Sequence, residues 1–231
     1  MRKLLFPLLP LLFCAQTTAP APLPIAAPLS GKLGTAIQLL GSDLTTWTWY
    51  QRPPKAGATQ PAPAKLEDVW TLKDGILHDA GKPIGYLRTN AEYDNYVLLV
   101  EQRHVNKKGN GGVLFAITGP DKVWPHGLEC QGLNGEEGDL RNIADFPNLK
   151  TDPVRTEPKR VRRAGADPEK PVGEWETVEI TVDHGNLTVK LNGEVQNTAT
   201  YTGSLNGKIG LQAEGGEMEF RKIELTPIEP N

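Results

Sequence analysis

The feature that most limits what this chain can fold into is the brevity of its apolar runs. From Ile37 onward they alternate with polar residues and are cut off by Gly, Asn, Asp or Pro before any helical face lasts three turns. A period of two sends successive side chains to opposite faces of a strand, so each run makes one apolar face. Tyr96, Leu98 and Val100 alternate with Val97, Leu99 and Glu101, which predicts a half-buried strand continuing toward Arg103. Val178, Ile180 and Val182 share a face, as do Leu187, Val189 and Leu191, and Asp183-His184-Gly185-Asn186 joins the two runs as a hairpin. Asn192-Gly193 follows at once and supplies the positive φ angles of a second tight turn, so a third strand folds back from Glu194 toward Tyr201. Ile209, Leu211 and Ala213 oppose Gln212 and Glu214. In the last run Met218 and Phe220 are in phase but Ile223 and Leu225 are shifted, which places a bulge near Arg221-Lys222.

Strands with one apolar face each must bury those faces against one another, and two packed antiparallel sheets are the economical solution. The expected fold is therefore all-β, a two-sheet antiparallel β-sandwich of jelly-roll type over residues 37–227. Two stretches resist the strand reading: Gln51 to Glu67, with its Pro-Pro and Ala-Pro-Ala elements, and Leu140 to Arg163, which is polar and broken by proline. Both read as long surface loops, where functional residues concentrate.

The first residues pair a basic Met1-Arg2-Lys3 with a short apolar run from Leu4 to Phe13, the pattern of a secretory signal, which we assign to residues 1–19. That run is too short for an ordinary membrane span, and Pro7 and Pro10 interrupt it. The expected location is periplasmic or extracellular, with no transmembrane span in the mature chain. Cys14 invites a lipid anchor, but the bulky Phe13 before it disfavours one. Residues 20–36, rich in Ala, Pro and Leu, read as an extended tether. Loss of Cys14 with the signal leaves Cys130 alone, so no internal disulfide is expected. The net charge is −3, and the one basic cluster is Lys159, Arg160, Arg162 and Arg163. Nucleic acid is thereby disfavoured as a partner.

Motifs in fixed order then carry a resemblance. They run Leu39-Leu40-Gly41 with Asp43-Leu44 and Trp47, then Trp70 to Leu77 around Asp74-Gly75, then Gly85-Tyr86-Leu87-Arg88-Thr89 and Tyr93-Asp94-Asn95-Tyr96 leading into Glu101-Gln102-Arg103. Gly109 to Phe115, Pro125 to Gln131, Gly173-Glu174-Trp175, Leu191-Asn192-Gly193 and Gly207 to Gln212 complete the series. In this order they resemble the 3-keto-disaccharide hydrolase domain family, whose members are built like concanavalin-type glucanases. Pro125 to Gln131 is similar to that family's Pro-x-x-Glu-Tyr-Gln element, with Cys130 in place of the usual tyrosine. Ala213-Glu214 stands where the family commonly has Asp-His, and Gly111 where it has serine. The resemblance implies a carbohydrate partner and cleavage of 3-keto-glycosides. A non-catalytic carbohydrate-binding module on the same scaffold is the alternative.

A ketone at C3 of a sugar acidifies the hydrogen at C2 and sets the glycosidic oxygen β to the carbonyl. Elimination then needs a base, donors for the enolate and an acid. On the strand from Leu128 to Leu133, Glu129 and Gln131 share a face that Cys130 does not. Glu129 is the first candidate for base or acid; the alternative is a solvent-facing strand glutamate. His126, in the turn Trp124-Pro125-His126-Gly127, has a ring suited to proton exchange near neutrality, and Trp124 suits stacking on a sugar; both equally suit an exposed turn. Arg88 either polarises a carbonyl, pairs with Glu129, or balances Glu92 or Glu101. Asn110, Gln131, Gln212 and Glu214 are candidate polar contacts to substrate, and Asp139 and Arg141 belong to a loop placed to cover a site. His78, His104 and His184 read as structural or solvated.

No Cys/His spacing suits zinc, no glycine-rich phosphate loop precedes a helix, and no Gly-x-Ser-x-Gly elbow occurs. No cofactor is expected. Calcium on loop carboxylates stays open, because nothing fixes a ligand count.

Overall fold

The computed structural model describes residues 23–54, 64–143 and 146–231. The assigned signal, Cys14 and part of the loop after Gln51 lie outside the described residues. The first strands are β1 Lys32–Leu33, β2 Ile37–Gln38, β3 Trp47–Gln51, β4 Trp70–Lys73, β5 Ile76–Asp79, β6 Gly85–Thr89, β7 Tyr96–His104, β8 Gly112–Thr118 and β9 His126–Gln131. They are followed by β10 Leu140–Asn142, β11 Thr156–Glu157, β12 Arg160–Val161, β13 Glu176–Asp183, β14 Asn186–Leu191, β15 Glu194–Thr200, β16 Lys208–Ala213 and β17 Met218–Glu229. One helical turn, Leu66–Val69, precedes β4. No helix among the described residues is long and apolar enough to cross a membrane.

Two antiparallel sheets form the expected sandwich. One runs β15-β14-β13-β7-β17-β5-β4, with β1 and β2 also on β17; the other runs β11-β12-β10-β9-β8-β16-β6-β3. Between them lies the core, where Leu98, Val100, Ile180, Phe220, Val113, Phe115, Leu128 and Leu211 are buried from both sides. Each large apolar side chain sealed in this way contributes about 1.5–3 kcal/mol.

The local expectations rest on backbone chemistry that the structure displays. His184 and Gly185, like Asn192 and Gly193, have positive φ, as a two-residue hairpin turn requires. Strand β7 alternates buried and half-buried residues throughout. The register of β17 against β7 shifts between Arg221 and Glu224, with Lys222 at φ 50°, which is the bulge read from the phase change.

Two readings need correction. The stretch from Leu140 to Arg163 is not all loop: β10, β11 and β12 extend the eight-stranded sheet. Strands of two or three residues are too short to show a period, so pattern reading passes over them. The described part of the tether is extended but lies against the sandwich. Lys32 and Leu33 pair with Glu229 and Ile228, and Ser30 donates its N–H to Asp183 at 2.7 Å.

Candidate active site

Alternation along β9 turns Leu128 and Cys130 into the core and sends Glu129 and Gln131 to the outer face of the eight-stranded sheet. Register then assembles neighbours from distant segments. Arg88, Gly210, Leu114, Glu129 and Arg141 follow one another across five strands in a single row. Glu129 thus has Leu114 on one side and Arg141 on the other. A cleft of about 470 Å³ opens here, lined by Asn110, Trp124, Glu129, Gln131, Leu133, Arg141, Ile143, Lys159 and Glu214.

Glu129 is only 4 % exposed although it faces away from the sandwich core. With its amide nitrogen turned to the acceptors, Gln212 donates to Glu129 Oε1 at 2.9 Å and to the Gly111 carbonyl at 3.3 Å. Burial raises the Glu129 carboxyl to about 8, and the nearby Glu214 charge adds to the effect, against opposition from Arg141 and the Gln212 bond. A carboxylate gives up hydration when buried, so the neutral acid is favoured. At neutral pH Glu129 is therefore mostly an O–H donor. Glu214 is raised too, again by burial first, with Arg52, Arg141 and the Asn110 hydrogen bond pulling the other way. Asn110 Nδ2 donates to Glu214 Oε2 at 2.7 Å.

The amide of Gln131 is oriented by its own backbone: its oxygen accepts from the N–H groups of Gly132 at 3.0 Å and Leu133 at 3.1 Å. Its nitrogen is left for the cleft. Trp124, 44 % exposed, stands at the lip. Gly112 makes room for the acid, because a Cβ there would lie 2.8 Å from Glu129 Oε1.

Of the residues singled out from sequence, the fold brings Glu129, Gln131, Asn110, Trp124, Arg141, Gln212 and Glu214 together. Three stand elsewhere. Arg88 is three strands from Glu129, roughly 14 Å at the usual strand spacing, and both its Nε and Nη2 donate to Asp121 at 2.7 Å. That bidentate pair, with Tyr86 also donating to Asp121 at 2.9 Å, replaces every partner considered for it. His126 is the first residue of β9 rather than part of a turn. It points opposite to Glu129, its Nδ1 2.9 Å from Thr118 Oγ1 and its ring 4.8 Å from that of Phe146, a core residue. Asp139 is buried, pairs with Arg160 at 2.6 Å and accepts from the Arg163 N–H at 2.7 Å. It braces the basic cluster instead of covering a site.

Leu133, in phase with Glu129 and Gln131, also lines the cleft, while sequence reading missed Ile143 and Lys159 there and the influence of Arg52 on Glu214. Lys159 and Ile143 belong to the stretch taken for loop, where no register was available to place them. Among the described residues no group of three or more His, Cys, Asp or Glu side chains is arranged to hold a metal ion.

The profile of the 3-keto-alpha-glucoside-1,2-lyase-like domain matches residues 35–226. The chain belongs to this family. No curated protein sequence matches it. Among solved structures, it is similar to a provisionally assigned glycosyl hydrolase of Parabacteroides distasonis, with TM-score 0.60 and 17% identity over 84% of this chain and 100% of that one. The family GH16 endo-beta-1,3(4)-glucanase SCLam aligns with TM-score 0.58 and 12% identity over 92% of this chain and 97% of that one. The carbohydrate-binding module CBM66 of Bacillus subtilis aligns with TM-score 0.53 and 10% identity, over 80% and 98% respectively. At these identities the likeness concerns the fold, a concanavalin-like jelly roll. Family membership and fold together support a carbohydrate-active protein of the glycoside hydrolase kind.

Proposed function

We propose that this lyase-like domain cleaves 3-keto-glycosides by elimination followed by hydration, and that it does so outside the cytoplasm after export on its N-terminal signal. The observation that carries the proposal is a Glu129 carboxyl buried in a cleft shared with a second carboxyl, Glu214, a burial that favours its neutral form. The two acids sit in different surroundings, and such a pair divides into acid and base. In this reading Glu214, held by Asn110 and influenced by Arg52, is the carboxylate that takes the C2 proton. Glu129 supplies a proton to the departing glycosidic oxygen. The amide nitrogen of Gln131 and the guanidinium of Arg141 face the charge that develops on the C3 oxygen. Trp124 at the lip offers an apolar face to a sugar ring.

The test compares a 3-keto-glycoside with the same glycoside carrying an ordinary C3 hydroxyl. Release of aglycone from the ketone alone is the expected result; equal release from both would remove the elimination chemistry. A second reading, sugar binding without turnover, is favoured by the exposure of Trp124. Saturable glycan binding with no product from either compound would establish it.

A further inference from the structure

Behind the cleft wall lies a group of acids that the proposed chemistry does not use. His104, the last residue of β7, is 3 % exposed, Glu137 is 1 % exposed, and Glu176, the first residue of β13, is 4 % exposed. Of the structural and solvated alternatives open to His104, the fold takes the structural one: its Nε2 lies 3.0 Å from the Gly132 carbonyl and 3.1 Å from Glu137 Oε1, two acceptors, so Nε2 carries the proton and donates to both. Asn134 Nδ2 donates to the same Glu137 oxygen at 3.0 Å. The other, Oε2, is buried with no N–H or O–H directed at it unless Glu176 supplies one. The Glu176 carboxyl is the neighbour that acts on Glu137 and is acted on by it, and two buried carboxyls side by side bond only through a shared proton.

These contacts converge on the turn that joins β9 to β10. Gly132, whose carbonyl His104 holds, gives its own N–H to the side-chain oxygen of Gln131. Glu169 accepts from the N–H groups of Gly135 at 2.8 Å and Glu137 at 3.1 Å. At the far end of the turn Glu136 grips Arg141 at 2.6 Å and Arg160 at 3.0 Å. The buried group and the cleft thus share one short segment of backbone.

We infer that His104, Glu137 and Glu176 are positioning residues, a proton-sharing clamp that fixes the 132–139 turn and through it Gln131 and Arg141, and that losing the shared proton frees this wall of the cleft. Its effect on turnover rests on the proposed function; its effect on the turn does not. The groups facing Glu137 are His104 from β7, Glu176 from β13, Glu169 and Asp167 from the loop before β13, and Arg163 after β12. The Cys130 thiol on β9 feels Glu137, Glu176 and Asp139 together. Lys170 contributes its backbone N–H to Glu176 at 3.3 Å. Acids dominate this environment, and burial comes first in keeping the proton: Glu137 is raised to about 7 and Glu176 to about 9. Both lie above the ordinary glutamate value. The stability they lend is therefore full below about 4.5 and drains as the pH rises through about 7 and about 9.

The deciding experiment is amide hydrogen exchange on the whole protein, normalised to intrinsic rates, at pH 6.5 and 9.5. In the native sequence the opening of residues 132–139 should rise at least tenfold between the two while β13 and β14 stay protected. Glu176→Gln keeps a donor toward Glu137 at every pH and should hold the rise below threefold. An equal rise in both proteins, or opening of the whole sandwich at once, overturns the clamp. Should Glu176→Gln fail to fold, an unchanged turn in the native sequence overturns it alone. Absence of 3-keto-glycoside cleavage with the exchange pattern intact would sink the proposed function and leave the clamp standing.

Discussion

The outer faces of the two sheets place charge on the same kind of strand with opposite results. On the nine-stranded sheet, residues directly across from each other pair: Arg103 with Glu219 at 2.6 Å, Arg221 with Glu101 at 2.6 Å and Lys190 with Glu179 at 2.6 Å. Both arginines also cover the Trp175 ring, at 4.5 and 4.1 Å from its centre. On the eight-stranded sheet Glu129 stands directly across from Arg141 as well, yet Arg141 gives its guanidinium to Glu136. Glu129 takes an amide as its neighbour and is buried as the neutral acid. Cross-strand placement alone does not decide whether an acid is spent on structure. What decides is whether a third group competes for its partner and whether the face is open to water.

Four measurements would break or sharpen this contrast. The largest effect belongs to Glu129→Gln, which keeps shape and neutrality but cannot transfer a proton: turnover of a 3-keto-glycoside should fall by about 10²–10⁴-fold, with the melting temperature unchanged or higher. Retained activity would return Glu129 to the class of structural acids. The pH profile should follow next. Because the protonated form works and its pKa is raised, turnover holds below about 8 and falls about tenfold per unit above it. Glu214 must be ionised, so the acid limb lies above the ordinary glutamate range. A profile flat to pH 10 would contradict the assignment of Glu129, and an acid limb at or below the ordinary glutamate range that of Glu214. Gly112→Ala places a methyl against Glu129 Oε1 and should cost roughly 1–3 kcal/mol in overpacking, read as a lowered melting temperature together with slower turnover. Arg221→Ala, on the ordinary face, should cost no more than about 1 kcal/mol and leave turnover alone. A large loss there would mean that the two faces are coupled.

The sandwich was legible wherever alternation ran for five residues or more, and the bulge was legible because a phase shift in Met218, Phe220, Ile223 and Leu225 has only one local remedy. The outward turn of Glu129 and Gln131 followed from the same period, since Cys130 between them suits a core. What stayed hidden depended on partners far away in the chain. Nothing near Arg88 announces Asp121, 33 residues on. His126 is turned inward by one position of register, and His104 closes a strand whose last inward position is occupied by a histidine where an apolar residue would be expected. Ile143 and Lys159 sit beside strands of two or three residues, which join the sheet through the pairing of β10 with β9.

Cys130, the free cysteine among the described residues, points into the sandwich and is 1 % exposed. Its sulfhydryl is held protonated by burial and by the acids around it, far from the thiolate that electrophiles attack. The folded molecule therefore carries a silent mark. Alkylating reagents will read it only when the sheets part, which makes each labelled molecule a record of one complete unfolding event.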